Sequence, residues 1–290
     1  MSGSADPKGA RRTGTLYVVA TPIGNLGDLS PRAAEVLRSV QAVAAEDTRR
    51  TLRLYAHLAA RPPPLLSLPA FDERARLGTV LARLLAGEDV ALCTDAGTPA
   101  ISDPGEALVA AAWEAGVRVV PVPGPCAAVA ALVASGLPTA RFLVAGFLAR
   151  KGTSRADALR WLATVPATLV LYEAGNRTRA TLRDLARALG DRPAAVAREL
   201  TKLHEEIARG RLSELADRFA GEVRGEVTLV VAGAERAARG EGPPEDLEAE
   251  LRRRLAAGEP PSEIARTAAR ARGLPRREVY ARLEALKRGS

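Results

Sequence analysis

Several common chemistries are ruled out by what this chain lacks. Cysteine occurs only at Cys93 and Cys126, histidine only at His57 and His204, and aromatic residues make up 3% of the 290 positions. Two cysteines in apolar runs, outside any metal-type pair spacing, leave no disulfide framework, predict no metal site and fit a reduced, cytoplasmic protein. So few rings do not make a platform that reads single-stranded bases by serial stacking. No apolar run reaches the roughly 18 residues of a membrane-spanning helix. Residues Met1 to Thr13 lack the apolar stretch of a secretory signal and read as a loose tail. Lysine is scarce as well, at Lys8, Lys151, Lys202 and Lys287 only, so the net charge of +8 and the pI near 10.1 come from arginine. That balance admits an acidic partner such as nucleic acid, and equally a well-solvated surface.

What is present is a large core and an alternating pattern. Apolar residues make up 47% of a chain long enough for two domains and an appendage. Short β-like runs alternate with amphipathic stretches, which predicts a mostly parallel sheet over residues 14–123. Its strands are expected at Leu16–Ala20, Ala42–Ala45, Leu65–Leu68, Asp89–Thr94 and Val117–Val122. Ser30-Pro31 offers an N-cap and a first-turn proline, and Asp72 offers a cap for a helix running to about Ala86. Pro123-Gly124-Pro125 punctuates the chain. Residues 124–233 then carry a second, mixed sheet, with closely spaced strands near Phe142, Thr168, Ala194, Glu205 and Glu226. Residues 234–245 read as a linker. Residues 246–290 read as three short basic helices, Leu247–Ala256, Pro261–Ala271 and Pro275–Leu286, in a helix-turn-helix-like arrangement.

Ligands of open α/β folds bind at the carboxyl ends of strands, and three loops qualify. Thr21-Pro-Ile-Gly-Asn-Leu-Gly-Asp28 follows the first strand and offers backbone access at Gly24 with polar groups at Asn25 and Asp28. It is not a Gly-x-Gly-x-x-Gly fingerprint, which counts against a nicotinamide oxidoreductase. Thr94-Asp-Ala-Gly-Thr-Pro-Ala-Ile-Ser-Asp-Pro-Gly105 packs two prolines and two glycines into 12 residues, a rigid loop that exposes main-chain donors. Pro121-Val-Pro-Gly-Pro-Cys-Ala127 forms the crossover between lobes.

These loops carry a resemblance. Ala20 to Asp28, Ala45-Glu-Asp-Thr-Arg-Arg50, Thr94 to Gly105, Pro123-Gly-Pro-Cys-Ala127, Leu171-Tyr-Glu173, Arg198-Glu-Leu-Thr-Lys-Leu-His-Glu205 and Gly225 to Val231 occur in the order of the tetrapyrrole methylase superfamily. Within it the chain resembles the ribosomal RNA small-subunit methyltransferase I branch, and the basic tail looks like that branch's extension. The resemblance implies a two-lobed α/β fold with S-adenosylmethionine in the cleft. It also implies a homodimer, and 2′-O-methylation of a cytidine in 16S rRNA near the decoding site, on naked rRNA or the small ribosomal subunit. Cofactor contacts are expected at Pro22, Gly24, Asn25, Asp95, Gly97, Thr98, Ile101, Ser102, Cys126, Ala127 and Tyr172. The chain departs from the branch at Ala174-Gly-Asn-Arg177 and at Phe71-Asp-Glu-Arg74.

Methyl transfer from a sulfonium to a hydroxyl is an in-line displacement that benefits from a base or a charge partner. Glu46, Asp47, Arg49 and Glu173 are the catalytic candidates, with Lys202 and Glu205 as a second charged cluster, although an acid beside arginine is often only an ion pair. Cys126 reads as a small packing residue and His204 as structural. Arg177, Arg253, Arg254, Arg276 and Arg277 are the candidates for RNA contact. Two other readings stand beside this one: a methylase of a small tetrapyrrole or precorrin, and a non-catalytic RNA-binding module. The arginine-rich tail argues against the first.

Overall fold

Apolar runs and amphipathic stretches alternate from Thr15 onward, and a computed structural model, describing residues 13–221, 223, 225–234, 247–272 and 274–288, turns this alternation into two sheets and their covering helices. The first half gives β1 (Thr15–Val19), α1 (Pro31–Ser39), β2 (Ala42–Ala45), α2 (Thr48–His57), β3 (Leu65–Ser67), α3 (Glu73–Leu85), β4 (Val90–Cys93), α4 (Glu106–Glu114) and β5 (Arg118–Val122). The strands pair in parallel in the order β3-β2-β4-β1-β5. Every residue of β2 and β4 is buried, as strands covered on both faces require. Leu37 of α1 packs with Val43 and Ala91 on one face, and Leu108 of α4 with Leu16 and Leu92 on the other. The neighbouring strands β1 and β4 therefore hand the chain to opposite faces. That is a topological switch point, where a crevice opens at the carboxyl ends.

Local signals set the helix starts. Ser30 Oγ accepts from Ala33 N at 3.1 Å, and Pro31 occupies the first turn. Asp72 does not cap α3 with its side chain. Its carboxylate accepts from Arg76 Nε at 2.7 Å, and a 3-10 turn over Ala70–Asp72 leads into the helix instead.

The second sheet is built from β6 (Phe142–Phe147), β7 (Thr168–Ala174), β8 (Pro193–Arg198), β9 (Glu206–Arg211) and β10 (Glu226–Val231) in the order β6-β7-β10-β8-β9. Only β6 and β7 are parallel; the other pairs are antiparallel. Alternation within the strands sorts its two faces. Leu169, Leu171, Val196 and Leu229 pack under α6 (Thr153–Thr164), α7 (Thr178–Leu189) and α8 (Leu212–Arg218). Val170, Ala195 and Val230 pack under α5 (Ala127–Ser135), whose Ala128, Ala131 and Leu132 lie against them. Each fully buried leucine here contributes about 1.5–3 kcal/mol relative to exposure. The Pro123–Pro125 segment is the connection from the first sheet to the helix that covers the second.

The chain divides into two compact units, Met1–Ala234 and Glu235–Ser290. The second holds α9 (Leu247–Ala256), α10 (Pro261–Arg272) and α11 (Arg276–Arg288) around a core of Leu251, Ile264, Ala268, Val279 and Leu283. The architecture is thus α/β with a parallel sheet, a mixed sheet and a helical extension. The expected tail at positions 1–12 and linker at positions 235–245 lie outside the described residues. No described helix is long and apolar enough to cross a membrane.

Candidate active site

The loops that leave β1 and β4 are fastened to each other. Thr21 N donates to Gly97 O at 2.8 Å and Gly97 N to Thr21 O at 3.0 Å, while Thr21 Oγ1 reaches Thr94 O at 3.1 Å. Gly97 sits at φ +84°, a conformation that an L side chain resists. Thr98 Oγ1 donates to Pro125 O at 3.0 Å and ties this loop to the crossover. At its far end, Gly105 N and Leu108 N both donate to Glu73 Oε1, at 3.1 and 3.0 Å. Ala100 and Ser102 lie at φ +68° and +65°, and Glu199 and Thr201, across the cleft, at +50° and +65°. Left-handed non-glycine residues cost about 1–3 kcal/mol each and gather at functional sites. Here four of them border one cleft or the loops beside it.

That cleft runs between the carboxyl edge of the first sheet and the α5 face of the second. Of the expected cofactor contacts, Asp95, Gly97, Thr98, Ile101, Ser102, Cys126, Ala127 and Tyr172 line it. Pro22, Gly24 and Asn25 do not; their neighbour Ile23 takes that place. Asn25 instead caps the 3-10 turn Leu26–Asp28, accepting from Gly27 N at 2.9 Å. Gly24 lies so close to the β8–β9 loop that an added Cβ would meet Lys202 Cγ at 2.5 Å and Leu200 O at 3.0 Å.

The catalytic candidates separate more sharply. Asp47 caps α2 through Arg49 N at 2.8 Å and binds the Arg49 guanidinium at 2.7 Å, so its carboxyl is held down at about 2 by that arginine. Arg49 is 85% exposed, and neither residue lines the cleft. One position on, Arg50 does, reaching Asp95 Oδ2 from Nε at 3.2 Å. Helical geometry swings successive side chains by about 100°, which sends Arg49 and Arg50 to different surroundings. Glu173 borders the cleft but turns its carboxylate to the opposite face of β7. There it accepts from Thr181 Oγ1 at 2.6 Å and Ala174 N at 2.9 Å, with Arg177 Nε at 3.4 Å. Strand alternation explains this: Tyr172 faces the cleft, so Glu173 faces α7. Lys202 lines the cleft, its Nζ 2.8 Å from Glu199 Oε1. His204 is exposed in the β8–β9 loop rather than in a strand.

Glu46, a candidate beside Asp47, does line the cleft. Sequence reasoning missed other members of the lining: Asp103, Glu199 and Glu226 add carboxylates, and Phe147 places its ring 5.5 Å from that of Tyr172. Glu46 accepts from Asp95 N at 3.0 Å, and Asp95 accepts from Asp47 N at 3.1 Å. Burial pushes the Glu46 and Asp95 carboxyls above their usual range. Burial, reinforced by Glu46, Asp95 and Glu226, carries Asp103 to about 7. Burial likewise raises the Tyr172 phenol to about 12. The second aspartate of Thr94–Gly105 was a visible signal for Asp103, and Glu199 and Glu226 lie in stretches that carry the resemblance, Arg198 to Glu205 and Gly225 to Val231. Phe147 had no signal.

The arginines read as RNA contacts also sort themselves. Arg177 donates to Leu148 O at 3.2 Å and is shared with Glu173. Arg254 is only 17% exposed, held by Glu259 and Glu250. Both serve the fold. Arg253, Arg276 and Arg277 lie on the surface of the helical unit, with Arg276 at 3.5 Å from Ser262 O. Among the described residues no group of three or more His, Cys, Asp or Glu side chains is arranged so that it could hold a metal ion.

Residues 15–216 match the family model described as tetrapyrrole (corrin/porphyrin) methylases. Over 274 residues the chain is 48% identical to the ribosomal RNA small subunit methyltransferase I of Xylella fastidiosa, covering 92% of this chain and 98% of that one. It is 47% identical over 269 residues to the protein of the same name from Synechocystis, covering 92% and 96%. Among solved structures, a uroporphyrin-III C-methyltransferase of Thermus thermophilus, complexed with S-adenyl homocysteine, is similar at a TM-score of 0.55 and 25% identity, covering 76% of this chain and 97% of that one.

Proposed function

The chain belongs to the tetrapyrrole methylase family, alongside the relatives named ribosomal RNA small subunit methyltransferase I, and we propose that it uses S-adenosylmethionine to methylate the 2′-hydroxyl of a cytidine in 16S ribosomal RNA near the decoding site. The observation that carries this reading is the cleft's chemistry. In a chain of net charge +8, its lining sets Glu46, Asp95, Asp103, Glu199 and Glu226 against Arg50 and Lys202. An acidic pocket of low dielectric suits a cationic sulfonium donor far better than it suits a phosphate cofactor. The apolar part of the lining, with Ile23, Ile101, Ala127 and Leu200, suits an adenosine.

In this reading the main chain at Gly97–Thr98 and Cys126–Ala127 holds the donor, and Asp95, paired with Arg50, stands beside it. When bound, S-adenosylmethionine supplies an electrophilic methyl group. The protein's own part is to exclude water, to align the acceptor and to take up a proton. Arg50 and Lys202 border the same cleft and supply positive charge for the phosphates that flank the target ribose. Phe147, 57% exposed beside Tyr172, offers one stacking face for a base. The exposed Arg253, Arg276 and Arg277 of the helical unit hold the RNA by phosphate contacts. The enzyme works in the cytoplasm as a homodimer; the exposed Val129 and Val133 of α5 support a self-associating face.

The test is transfer of labelled methyl from S-adenosylmethionine to small ribosomal subunits lacking the modification, followed by digestion to nucleosides. Label in 2′-O-methylcytidine is the expected result. Label in a base, or transfer only to a tetrapyrrole, overturns it.

A further inference from the structure

Apart from Glu173, whose carboxylate faces α7, the acids bordering the cleft differ in what holds them. Asp95 has Arg50 and Asp47 N, Glu46 has Asp95 N, and Glu199 has Lys202. Glu226 lies exposed at the start of β10. Asp103 is half-buried, and among the described residues no hydrogen bond or ion pair satisfies its carboxylate. Its neighbours in the field are carboxylates only: Glu46 after β2, Asp95 after β4 and Glu226 on β10, with the Tyr172 phenol of β7 also within its reach.

The backbone that presents Asp103 is tightly constrained. Ser102 before it has φ +65°, Pro104 follows it, Ala100 N donates to Pro104 O at 3.2 Å, and Glu73 secures Gly105 N. A polar group kept half-buried without a partner, on a loop strained to hold it there, is a common form of preorganised reacting group. Asp47 and Glu173 are excluded from that role by their positions and partners, and Glu46 and Asp95 by the hydrogen bonds that occupy them.

We propose that Asp103 is the base of the reaction: one of its carboxylate oxygens takes the proton of the acceptor hydroxyl. As that proton moves, the ribose oxygen forms its bond to the methyl carbon, the carbon–sulfur bond breaks, and the electron pair of that bond stays on sulfur. The sulfonium becomes a neutral thioether, the carboxylate a carboxylic acid, and no further reactant is needed. This rests on the 2′-hydroxyl reading given above.

The proposal brings its own switch. With burial and three like-charged neighbours lifting it to about 7, Asp103 is close to half-protonated at neutral pH before the donor binds. A sulfonium cation in the same cleft favours the ionised form, so donor binding expels the proton and readies the base. Loss of the cation after transfer lets Asp103 keep the proton it has gained until product leaves.

The first experiment measures proton release rather than turnover. Calorimetry of S-adenosylmethionine binding at pH 7, in buffers of different ionisation enthalpy, gives the protons exchanged per site. The wild-type protein is expected to release up to about half a proton, a release that Asp103→Asn removes. S-adenosylhomocysteine, with neutral sulfur, should release less from the wild type. Equal release by wild type and variant overturns the proposal. Should the Asn variant fail to bind the donor, Asp103→Glu carries the test, since it keeps an ionisable carboxylate and must keep the release.

Single turnover on small subunits at saturating donor then reads the base directly. Asp103→Asn is expected to slow the step by about 10²- to 10⁴-fold and to lose the wild-type rise in rate with pH. A rate within a few-fold of wild type, with the same pH profile and a 2′-O-methylated product, overturns the role of Asp103 alone. A wild-type product methylated on a base atom overturns the 2′-hydroxyl reading together with it.

Discussion

The cleft and the helical extension use charge in opposite ways. Around the cleft, acids outnumber cations and one of them, Asp103, has no hydrogen bond or ion pair among the described residues. In the extension, arginine is the commonest charged residue, yet many of its side chains are answered within a turn: Arg252 by Glu248, Arg266 by Glu263, Arg282 by Glu278, and Arg254 by Glu250 and Glu259. Pairs of that kind on a helix surface contribute only about 0.3–0.5 kcal/mol each, but they remove charge from the pool that can meet a phosphate. Net charge counted along a sequence therefore gives the sign of a surface and overstates its availability. A cleft hidden in a basic chain can carry the opposite sign.

The contrast breaks most completely if the cleft is filled. Thr98→Arg or Ala127→Trp places a large side chain where the two lobes face each other. Affinity for S-adenosylmethionine should fall roughly 100-fold or more, about 2.7 kcal/mol, by calorimetry. RNA affinity should stay close to wild type, because the surface of the helical unit is untouched. Unchanged donor affinity in both variants would show that the donor binds elsewhere.

The complementary change is Arg276→Ala with Arg277→Ala. The double variant should bind small-subunit RNA more weakly, and the slope of log affinity against log salt should fall by about 1 to 2. Donor affinity should be unaltered. An unchanged salt slope would mean that the extension's exposed arginines meet no phosphate.

A smaller effect is expected from Glu73→Ala, which sharpens the cleft side of the comparison. Glu73 Oε1 alone receives Gly105 N and Leu108 N, so the change strips the acceptor from two backbone donors at the end of the Thr94–Gly105 loop. Stability in urea should fall by about 1–3 kcal/mol with an unchanged m-value. A loss well under that range would mean that the strained φ values of Ala100 and Ser102 are held by something other than this anchor.

Glu73 also marks where the sequence stopped being legible. Both sheets, the parallel and mixed pairings and the three terminal helices followed from periodicity, turn residues and length, because each signal is local. The three strand-end loops were legible because proline and glycine concentrate there. Glu73 falls in a stretch that looked like a mere departure from the family pattern, and its partner lies 32 residues away. Gly24 was read as a ligand contact, whereas its close approach is to Lys202, on a loop of the other lobe. Asp95 and Asp103 are alike in sequence, both followed by small or rigid residues. Only the fold gives Arg50 to one and, among the described residues, no partner to the other.

Asp47 is the finest test of that lesson, since its sequence context drew attention to it and its surroundings make it a cap. Its carboxyl stands at about 2 in the folded protein, below the usual aspartate value, through hydrogen bonds from Arg49. A depressed carboxylate adds stability that is fully present above its unfolded pKa of about 3.9 and disappears as pH falls through its folded value. The difference in stability between wild type and Asp47→Asn should therefore be flat from neutrality down to about pH 5. It should then shrink steadily towards pH 2 as the wild-type carboxylate is protonated. Methyl transfer near neutrality should remain within about two-fold of wild type, as expected for an exposed ion pair outside the cleft. A larger loss of activity, at undiminished stability, would return Asp47 to the reacting groups and erase the distinction drawn here between paired and unpaired acids.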